Sequence, residues 1–169
     1  MIVQGLGEVP PGQWARKLFT NGQRNQYKLA TQVPYIERAL QKHDDWGLIL
    51  CDPNHVSQEP RSGETRADHV YRVWQEIVRP SKAENVMVIG FSAGTVAVLD
   101  LYEDIGQEFE KRVKALALLD GESGDSRLRL DREWLKQHSR CYCQKSMFGF
   151  MGMQNCEKVD SKSVFDATL

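Results

Sequence analysis

Residues 86–102 read VMVIGFSAGTVAVLDLY, and this stretch decides how the chain folds. Its first four residues form an apolar run of the length and character of a buried strand. The residues after the second glycine are again mostly apolar and fit the buried start of a helix. Between the two, Gly90 and Gly94 stand two residues before and two residues after Ser92. The stretch therefore predicts a strand, a tight turn and a helix, with Ser92 at the turn.

This arrangement is typical of the nucleophile elbow of α/β-hydrolase-type folds. In that turn the serine backbone is strained, and the residues two before and two after it must crowd the chain without a side chain. Gly90 and Gly94 meet this need. The alternative is that both glycines only shape a strand-to-helix turn and that Ser92 is an ordinary helix N-cap. The apolar strand before the turn and the apolar helix after it favour the elbow.

The rest of the chain alternates between strand and helix patterns. Residues 46–51 and 113–119 are apolar runs that predict two further interior parallel strands, and residues 1–3 form a short β-prone stub. Thr65 and Asp68 form a capping-box pattern, and they precede a helix with one apolar face: Val70, Val73, Trp74 and Ile77. The fold class predicted is α/β, with a mainly parallel, α/β-hydrolase-like sheet and helices on both faces. The start in a strand and a tail without a clear element predict truncation at both ends.

Length and composition limit the remaining possibilities. A chain of 169 residues with 41% hydrophobic content predicts one domain, over residues 1–140, followed by an irregular tail over 141–169. Twenty-two basic and 23 acidic residues leave a formal charge of -1, which favours neither nucleic acid nor an anionic membrane. The sequence shows no secretory leader and no apolar run of membrane-spanning length, so the four cysteines are expected to be reduced.

An acyl-transfer site needs backbone N–H groups that face the oxyanion. One comes from the residue after the serine and the other from the loop after an earlier strand. Ala93 and the Leu6-Gly7 turn occupy these places in the sequence. The alternative interpretation of residues 5–7 is a flexible turn near the terminus.

The general base is the weak point of a catalytic interpretation, because a serine hydroxyl needs an imidazole that a carboxylate orients. In the chain order of this fold both groups follow the serine. His138 is the only histidine after Ser92, and Asp120, at the end of the third apolar run, is the natural acid. The alternative is that His138 lies at the surface among its charged neighbours. The other histidines, which precede the serine, are His43, His55 and His69.

A second group of residues has the side chains that zinc binds: His138, Cys141, Cys143 and Cys156. Their spacing differs from the paired knuckles of structural zinc sites. Unpaired thiols in the tail are therefore the preferred interpretation, and the sequence predicts no metal and no cofactor.

Several segments together resemble the Arb2 (argonaute-binding) domain family, and in particular its metazoan cotranscriptional regulators, the "family with sequence similarity 172" branch. The resemblance runs from Met1 to about Trp134, and residues 12–16 are its most specific piece. The segments that carry it are GQWAR at 12–16, PYI at 34–36, the run from Leu48 to Asn54, the helix around Val73 and Trp74, the serine turn, and ALLD at 117–120.

The resemblance implies an α/β-hydrolase fold, residence in the nucleus with the cytoplasm as the alternative, and roles in small-RNA silencing, heterochromatin and alternative splicing. The implied partners are argonaute, chromatin or splicing proteins, with no direct contact to nucleic acid or membrane. The chain departs from the family pattern at three positions: Gln4 and Phe91 replace histidines, and Thr95 replaces a glycine. The histidine that the family has shortly after its Asp-Ser pair is also missing. The departures favour a shortened or divergent interaction domain with a degenerate serine site, and the alternative is an active esterase or acyl hydrolase using Ser92.

Overall fold

The computed structural model describes residues 1–5, 7, 10–14, 28, 30–42, 45–54, 64–121, 130–144 and 156–159. In this part of the chain six strands form one sheet, and helices pack on it. The strands are β1 (Ile2–Val3), β2 (Leu50–Cys51), β3 (Val86–Phe91), β4 (Val113–Leu119), β5 (Ser139–Gln144) and β6 (Cys156–Val159). The helices are α1 (Val33–Lys42), α2 (Arg66–Val73), α3 (Ala93–Ile105), α4 (Gln107–Arg112) and α5 (Arg132–His138), and a π-helical turn (Trp74–Val78) follows α2 directly.

The strand order β2-β1-β3-β4-β5-β6 confirms the predicted α/β class. Each adjacent pair is parallel. Because all carboxyl ends then meet at one side of the sheet, we call that side the carboxyl edge. The order reverses between β1 and β3, and ligands of open parallel sheets bind at such a switch point.

The main core lies between one face of the sheet and the helices that follow β2, β3 and β4. Its strand residues alternate along β3 and β4, and its helix residues come from α2 to α5. Within this helical layer, Trp74, Tyr102, Phe109 and Trp134 form an aromatic cluster with ring centroids 4.8–5.9 Å apart, in both stacked and edge-on pairs. Each such pair adds about 1 kcal/mol to the free energy of burial.

A smaller cluster lies on the other face of the sheet. Trp14 is buried there, with its ring centroid 5.2 Å from that of Phe91 and 5.5 Å from that of Tyr35 on α1. Ile2, Leu119 and Tyr142 complete the cluster. Elements therefore cover both faces, as predicted, and the second face brings residues 10–14 up to the strand that carries Ser92.

Helix α2 begins with the predicted capping box. The Asp68 amide donates to Thr65 Oγ1 at 3.2 Å, and the Thr65 amide donates to Asp68 Oδ2 at 2.8 Å. The hydrogen bonds from Thr65 lower the pKa of the Asp68 carboxyl. The predicted apolar face is wrong at Ile77, whose side chain is 52% exposed. The reason is the π-turn, which shifts the helical register so that Val78 is buried instead.

Two predictions about strands are wrong. Residues 46–51 do not form an interior strand, because only Leu50–Cys51 pairs, as β2. In the described sheet β1 lies between β2 and β3, and β2 is the edge strand, with Trp46 and Leu50 partly exposed. Residues 141–144 and 156–159, predicted as irregular, are parallel strands, because β5 pairs with β4 and β6 pairs with β5.

In the described ranges, no helix combines the length and apolar character needed to cross a membrane.

Candidate functional site

Ser92 lies directly after β3, at the carboxyl edge and at the switch between β1 and β3. Its backbone angles are φ 51° and ψ -125°, a region that residues with a side chain rarely adopt. The hydroxyl makes no capping hydrogen bond to helix α3, so Ser92 is not the ordinary N-cap of the alternative interpretation. The Ser92 amide donates to the Leu119 carbonyl at 2.8 Å, which joins the turn to the end of β4.

Three glycines surround the turn at distances that exclude a side chain. A Cβ added to Gly94 would lie 2.5 Å from the Val3 carbonyl oxygen, and one added to Gly90 would lie 3.0 Å from Thr95 Cα. A Cβ added to Gly5 would lie 2.8 Å from Ser92 Cβ. The end of β1 is therefore in direct contact with both the serine turn and the first turn of α3.

Asn54 holds the loop after β1 and was not predicted as a site residue. Its Nδ2 donates to the Gly5 carbonyl at 2.7 Å, and its Oδ1 accepts the Gly7 amide at 3.2 Å. The Asn54 amide donates in turn to Asp52 Oδ1 at 3.1 Å. The sequence signal that could have pointed to Asn54 is the Asp-Pro-Asn segment at 52–54, which ends the apolar run of residues 46–51. Sequence alone could not show that this segment reaches across to the loop after β1.

Asp120 follows β4 at the same edge and is next to the serine turn, because Leu119 pairs with Phe91 and accepts from the Ser92 amide. It is the second described non-glycine residue with positive φ, at 46°. Its Oδ1 is buried and has no hydrogen-bond partner among the described residues, and its amide donates to the Tyr142 carbonyl at 2.7 Å. The structure thus brings Ser92 and Asp120 together at one edge.

The structure does not bring His138 to this pair. His138 directly precedes β5, whose first residue, Ser139, pairs with Leu116. Asp120 lies four residues beyond Leu116, so the start of β5, which His138 directly precedes, is about 13 Å lower along the strands and about two strand spacings away from β3. Its ring stacks on Trp134 with centroids 4.7 Å apart, and Nδ1 lies 3.0 Å from the Trp134 carbonyl. A carbonyl only accepts, so Nδ1 carries the proton there.

The other predicted site residues are placed as follows. Ala93 is the first residue of α3, where the backbone N–H groups have no partner within the helix. The Gly7 amide, predicted as an oxyanion donor, donates to Asn54 instead. Leu6, His43 and His55 lie outside the described residues. His69 is on α2, with Nδ1 3.5 Å from Arg72 Nη2.

The three residues that depart from the family pattern, Gln4, Phe91 and Thr95, all pack at the carboxyl edge. Gln4 is buried at the end of β1, and its Nε2 donates to the Pro10 carbonyl at 3.3 Å. Phe91 packs against Trp14, and Thr95 is completely buried, with no described residue bonded to its hydroxyl. These side chains fill space in the packing around the turn and supply no imidazole.

Burial also controls the chemistry of the one described thiol near this edge. Cys51 ends β2 and is buried, which raises the pKa of its thiol to about 12, with a further contribution from the Asp52 carboxylate. A thiol of this kind remains protonated at neutral pH and is a poor nucleophile.

Across the described ranges, His, Cys, Asp and Glu side chains form no group of three or more that could hold a metal.

Within the described part of the chain, the arrangement can therefore present a serine hydroxyl beside a helix N-terminus and a carboxylate, while His138, the imidazole predicted to activate the serine, lies away from both. Oxyanion donors and binding alone leave residual catalysis, but loss of the base costs on the order of 10⁴-fold in rate.

Comparison with known proteins gives consistent results. The Arb2 domain family matches residues 55–147, more than half of the chain. A FAM172 family protein homolog of Caenorhabditis elegans is 29% identical over 123 residues, covering 71% of this chain and 37% of that protein. The human cotranscriptional regulator ARB2A is 24% identical over 200 residues, covering 82% of this chain and 46% of that protein. The chain thus spans less than half the length of these relatives.

Among solved structures, the histone deacetylase Clr3 has a similar fold over part of its length. The TM-score is 0.57 at 18% sequence identity, and the match covers 80% of this chain and 25% of that chain. At this identity the likeness concerns the fold alone.

Proposed function

This chain belongs to the Arb2 domain family, and on that premise we propose that it is a protein-interaction module in cotranscriptional regulation, with a degenerate serine site. Several relatives are named cotranscriptional regulators, which supports the general role. One observation carries the second part of the proposal. The strained Ser92 turn is present, while the only histidine that follows it in the chain, His138, lies at the opposite edge of the sheet.

The proposed setting is the nucleus, and the proposed processes are small-RNA silencing, heterochromatin and alternative splicing, as the family resemblance implies. Argonaute, chromatin or splicing proteins are the proposed partners. Protein contacts are favoured over RNA contacts because the formal charge is -1 and the sequence has no basic stripe with interleaved aromatics. Salt-sensitive binding of the purified chain to single-stranded RNA at sub-micromolar strength, measured by fluorescence anisotropy, would overturn this part.

A rescue experiment tests the module interpretation. In cells that lack the protein, we expect Ser92→Ala to restore splice-junction usage and silenced-locus transcripts, measured by RNA sequencing, as fully as the unchanged chain does. The matched control is Trp74→Ala, which removes a fully buried ring far from Ser92 and should fail through loss of folding. A Ser92→Ala chain that is folded and present at normal level but fails to rescue would contradict the proposal.

The second candidate is an active serine hydrolase, acting on a small ester, thioester or amide. The observation that favours it is the Ser92 conformation itself, because strained backbone of this kind is concentrated at active sites. In that case a histidine before the serine would have to act as the base. His55, which follows Asn54 in the sequence, is the first to test.

A further inference from the structure

We propose that Asn54 is a positioning residue for the Ser92 site, which it controls through the peptide group of Gly5. The inference rests on the proposed function, in which the site keeps its oxyanion geometry but lacks a base. Asn54 is buried, with 6% of its surface exposed, and it stands at the carboxyl end of β2. Strand β1 lies between β2 and β3, so Asn54 reaches Ser92 only through the end of β1.

The first step is the bond to Gly5. Asn54 Nδ2 donates to the Gly5 carbonyl at 2.7 Å, within the buried part of the edge. This bond fixes the orientation of the Gly5 carbonyl, and with it the Gly5 peptide, at the end of β1.

The second step is the contact between Gly5 and the serine. A Cβ at Gly5 would lie 2.8 Å from Ser92 Cβ and 3.0 Å from the Phe91 carbonyl oxygen, so the Gly5 backbone touches the turn. A shift of the Gly5 peptide therefore displaces Ser92 directly. The bond from the Gly7 amide to Asn54 Oδ1, at 3.2 Å, fixes the far side of the same loop.

The two hydrogen bonds can be separated by substitution. Asn54→Ala removes both. Asn54→Asp keeps an oxygen that can accept the Gly7 amide but replaces the donor to the Gly5 carbonyl with a second acceptor, which repels it. The positioning role assigns the effect on Ser92 to the Gly5 bond, so both variants should impair the site. If Asn54 only stabilised the fold, the loss in the Ser92 rate would instead depend on the number of hydrogen bonds lost, and Asn54→Ala would have the larger effect.

The test uses an alkyl fluorophosphonate on the full chain at alkaline pH over long times, where a serine without a base can still react. The Ser92 oxygen attacks phosphorus, fluoride leaves, and the hydroxyl proton passes to solvent. We expect Asn54→Ala and Asn54→Asp to slow modification of Ser92 roughly tenfold or more. Amide hydrogen exchange should show Gly7 exposed in Asn54→Ala and still protected in Asn54→Asp.

The control for stability is Tyr102→Phe, which removes a hydrogen bond to Glu110 in the helical layer and should leave the Ser92 rate unchanged. Equal Ser92 rates in Asn54→Asp and the unchanged chain would overturn the inference, and so would slowing in proportion to lost thermal stability. If the unchanged chain does not react at all, exchange of the Ser92 amide, which donates to the Leu119 carbonyl, is compared instead, and equal exchange in Asn54→Asp and the unchanged chain overturns the inference. Rapid modification of Ser92 at neutral pH would refute the degenerate site of the proposed function. The inference about Asn54 would then still be tested by comparing the Ser92 rates of the two Asn54 variants with that of the unchanged chain.

Discussion

The carboxyl edge and the helical layer of this molecule differ in backbone strain and in the hydrogen bonding of their buried polar atoms. In the helical layer, the aromatic cluster pairs its polar atoms: Trp74 Nε1 donates to Glu108 at 2.9 Å, and Tyr102 Oη donates to Glu110 at 2.6 Å. At the carboxyl edge, Ser92 and Asp120 have positive φ angles, and Asp120 Oδ1 is buried without a partner in the part of the chain that the structure describes. Tyr102 is ten residues along the chain from Ser92, about 15 Å by helical rise.

The difference indicates which region stabilises the fold and which one carries a site. Strain and unpaired polar atoms cost free energy, and they persist only where the surrounding structure imposes them. The aromatic cluster and the β3–β4 core supply that surrounding stability. Substitutions that empty the packed layer should therefore destabilise the chain, whereas a substitution that relieves the strain at Ser92 should stabilise it, and the predictions that follow run from the largest effect to the smallest.

Trp74→Ala should lower the free energy of unfolding by about 4 kcal/mol, because it empties the space of a fully buried ring and removes its stack on Phe109. Denaturant titration followed by circular dichroism measures the loss. The control is Tyr71→Ala, on the exposed side of the same helix, for which we expect a change below about 0.5 kcal/mol. Equal effects of the two substitutions would show that the aromatic cluster is not the stabilising region.

Gly94→Ala should cost about 3 kcal/mol, because the added methyl group would overlap the Val3 and Gln4 carbonyl oxygens, at 2.5 and 2.6 Å, and push β1 from α3. Gly47→Ala is the matched control, since nothing lies within 4 Å of its added Cβ. That control should be neutral or stabilise the chain by about 0.5 kcal/mol. A tolerated Gly94→Ala would mean that the end of β1 does not pack on the serine turn.

Ser92→Gly should raise the free energy of unfolding by about 1 kcal/mol, because glycine adopts a φ of 51° without the strain that a side chain causes. Ser92→Ala keeps the Cβ and should give no such gain. Thermal unfolding of both variants measures the difference. Loss of stability in Ser92→Gly relative to Ser92→Ala would contradict the assignment of strain to this residue.

Cys51 should be inert to iodoacetamide in the folded chain at about pH 8, since its pKa of about 12 leaves a thiolate fraction on the order of 10⁻⁴. Peptide mapping by mass spectrometry, in native buffer and in denaturant, makes the comparison. The folded-state pKa is above the ordinary value of 9.0, so burial of the neutral thiol stabilises the fold below that pH, and the contribution is lost as the pH rises toward 12. Rapid native alkylation would show that the carboxyl edge is open to solvent beneath the strained turn.

Local patterns allowed most of the fold to be predicted. The strand, the turn and the helix around Ser92 are adjacent in sequence, and each needs a recognisable residue type, so the pattern and the structure agree. The capping box at Thr65 was predictable for the same reason. The end of β4, and with it the place of Asp120, followed from one apolar run.

Long-range placement could not be predicted in the same way. The run that ends in Cys51 has the composition of an interior strand, but β1 takes the place next to β3 and leaves β2 at the edge. His138 follows Ser92 in the expected chain order, yet it precedes β5 rather than following it and so lies at the wrong edge. Asn54 reaches Gly5 across 49 positions of sequence, a distance that no local pattern reveals.

Labelling of the folded chain at neutral pH with an alkyl fluorophosphonate tests the central claim most directly. Because His138 lies at the opposite edge of the sheet from Ser92, we expect labelling to be slow or absent, and no hydrolysis of simple esters. Rapid labelling that both Ser92→Ala and His138→Ala abolish would contradict the placement of His138 and the module interpretation together. Rapid labelling that Ser92→Ala and His55→Ala abolish, and His138→Ala leaves intact, would make this domain a serine hydrolase with its base before the serine.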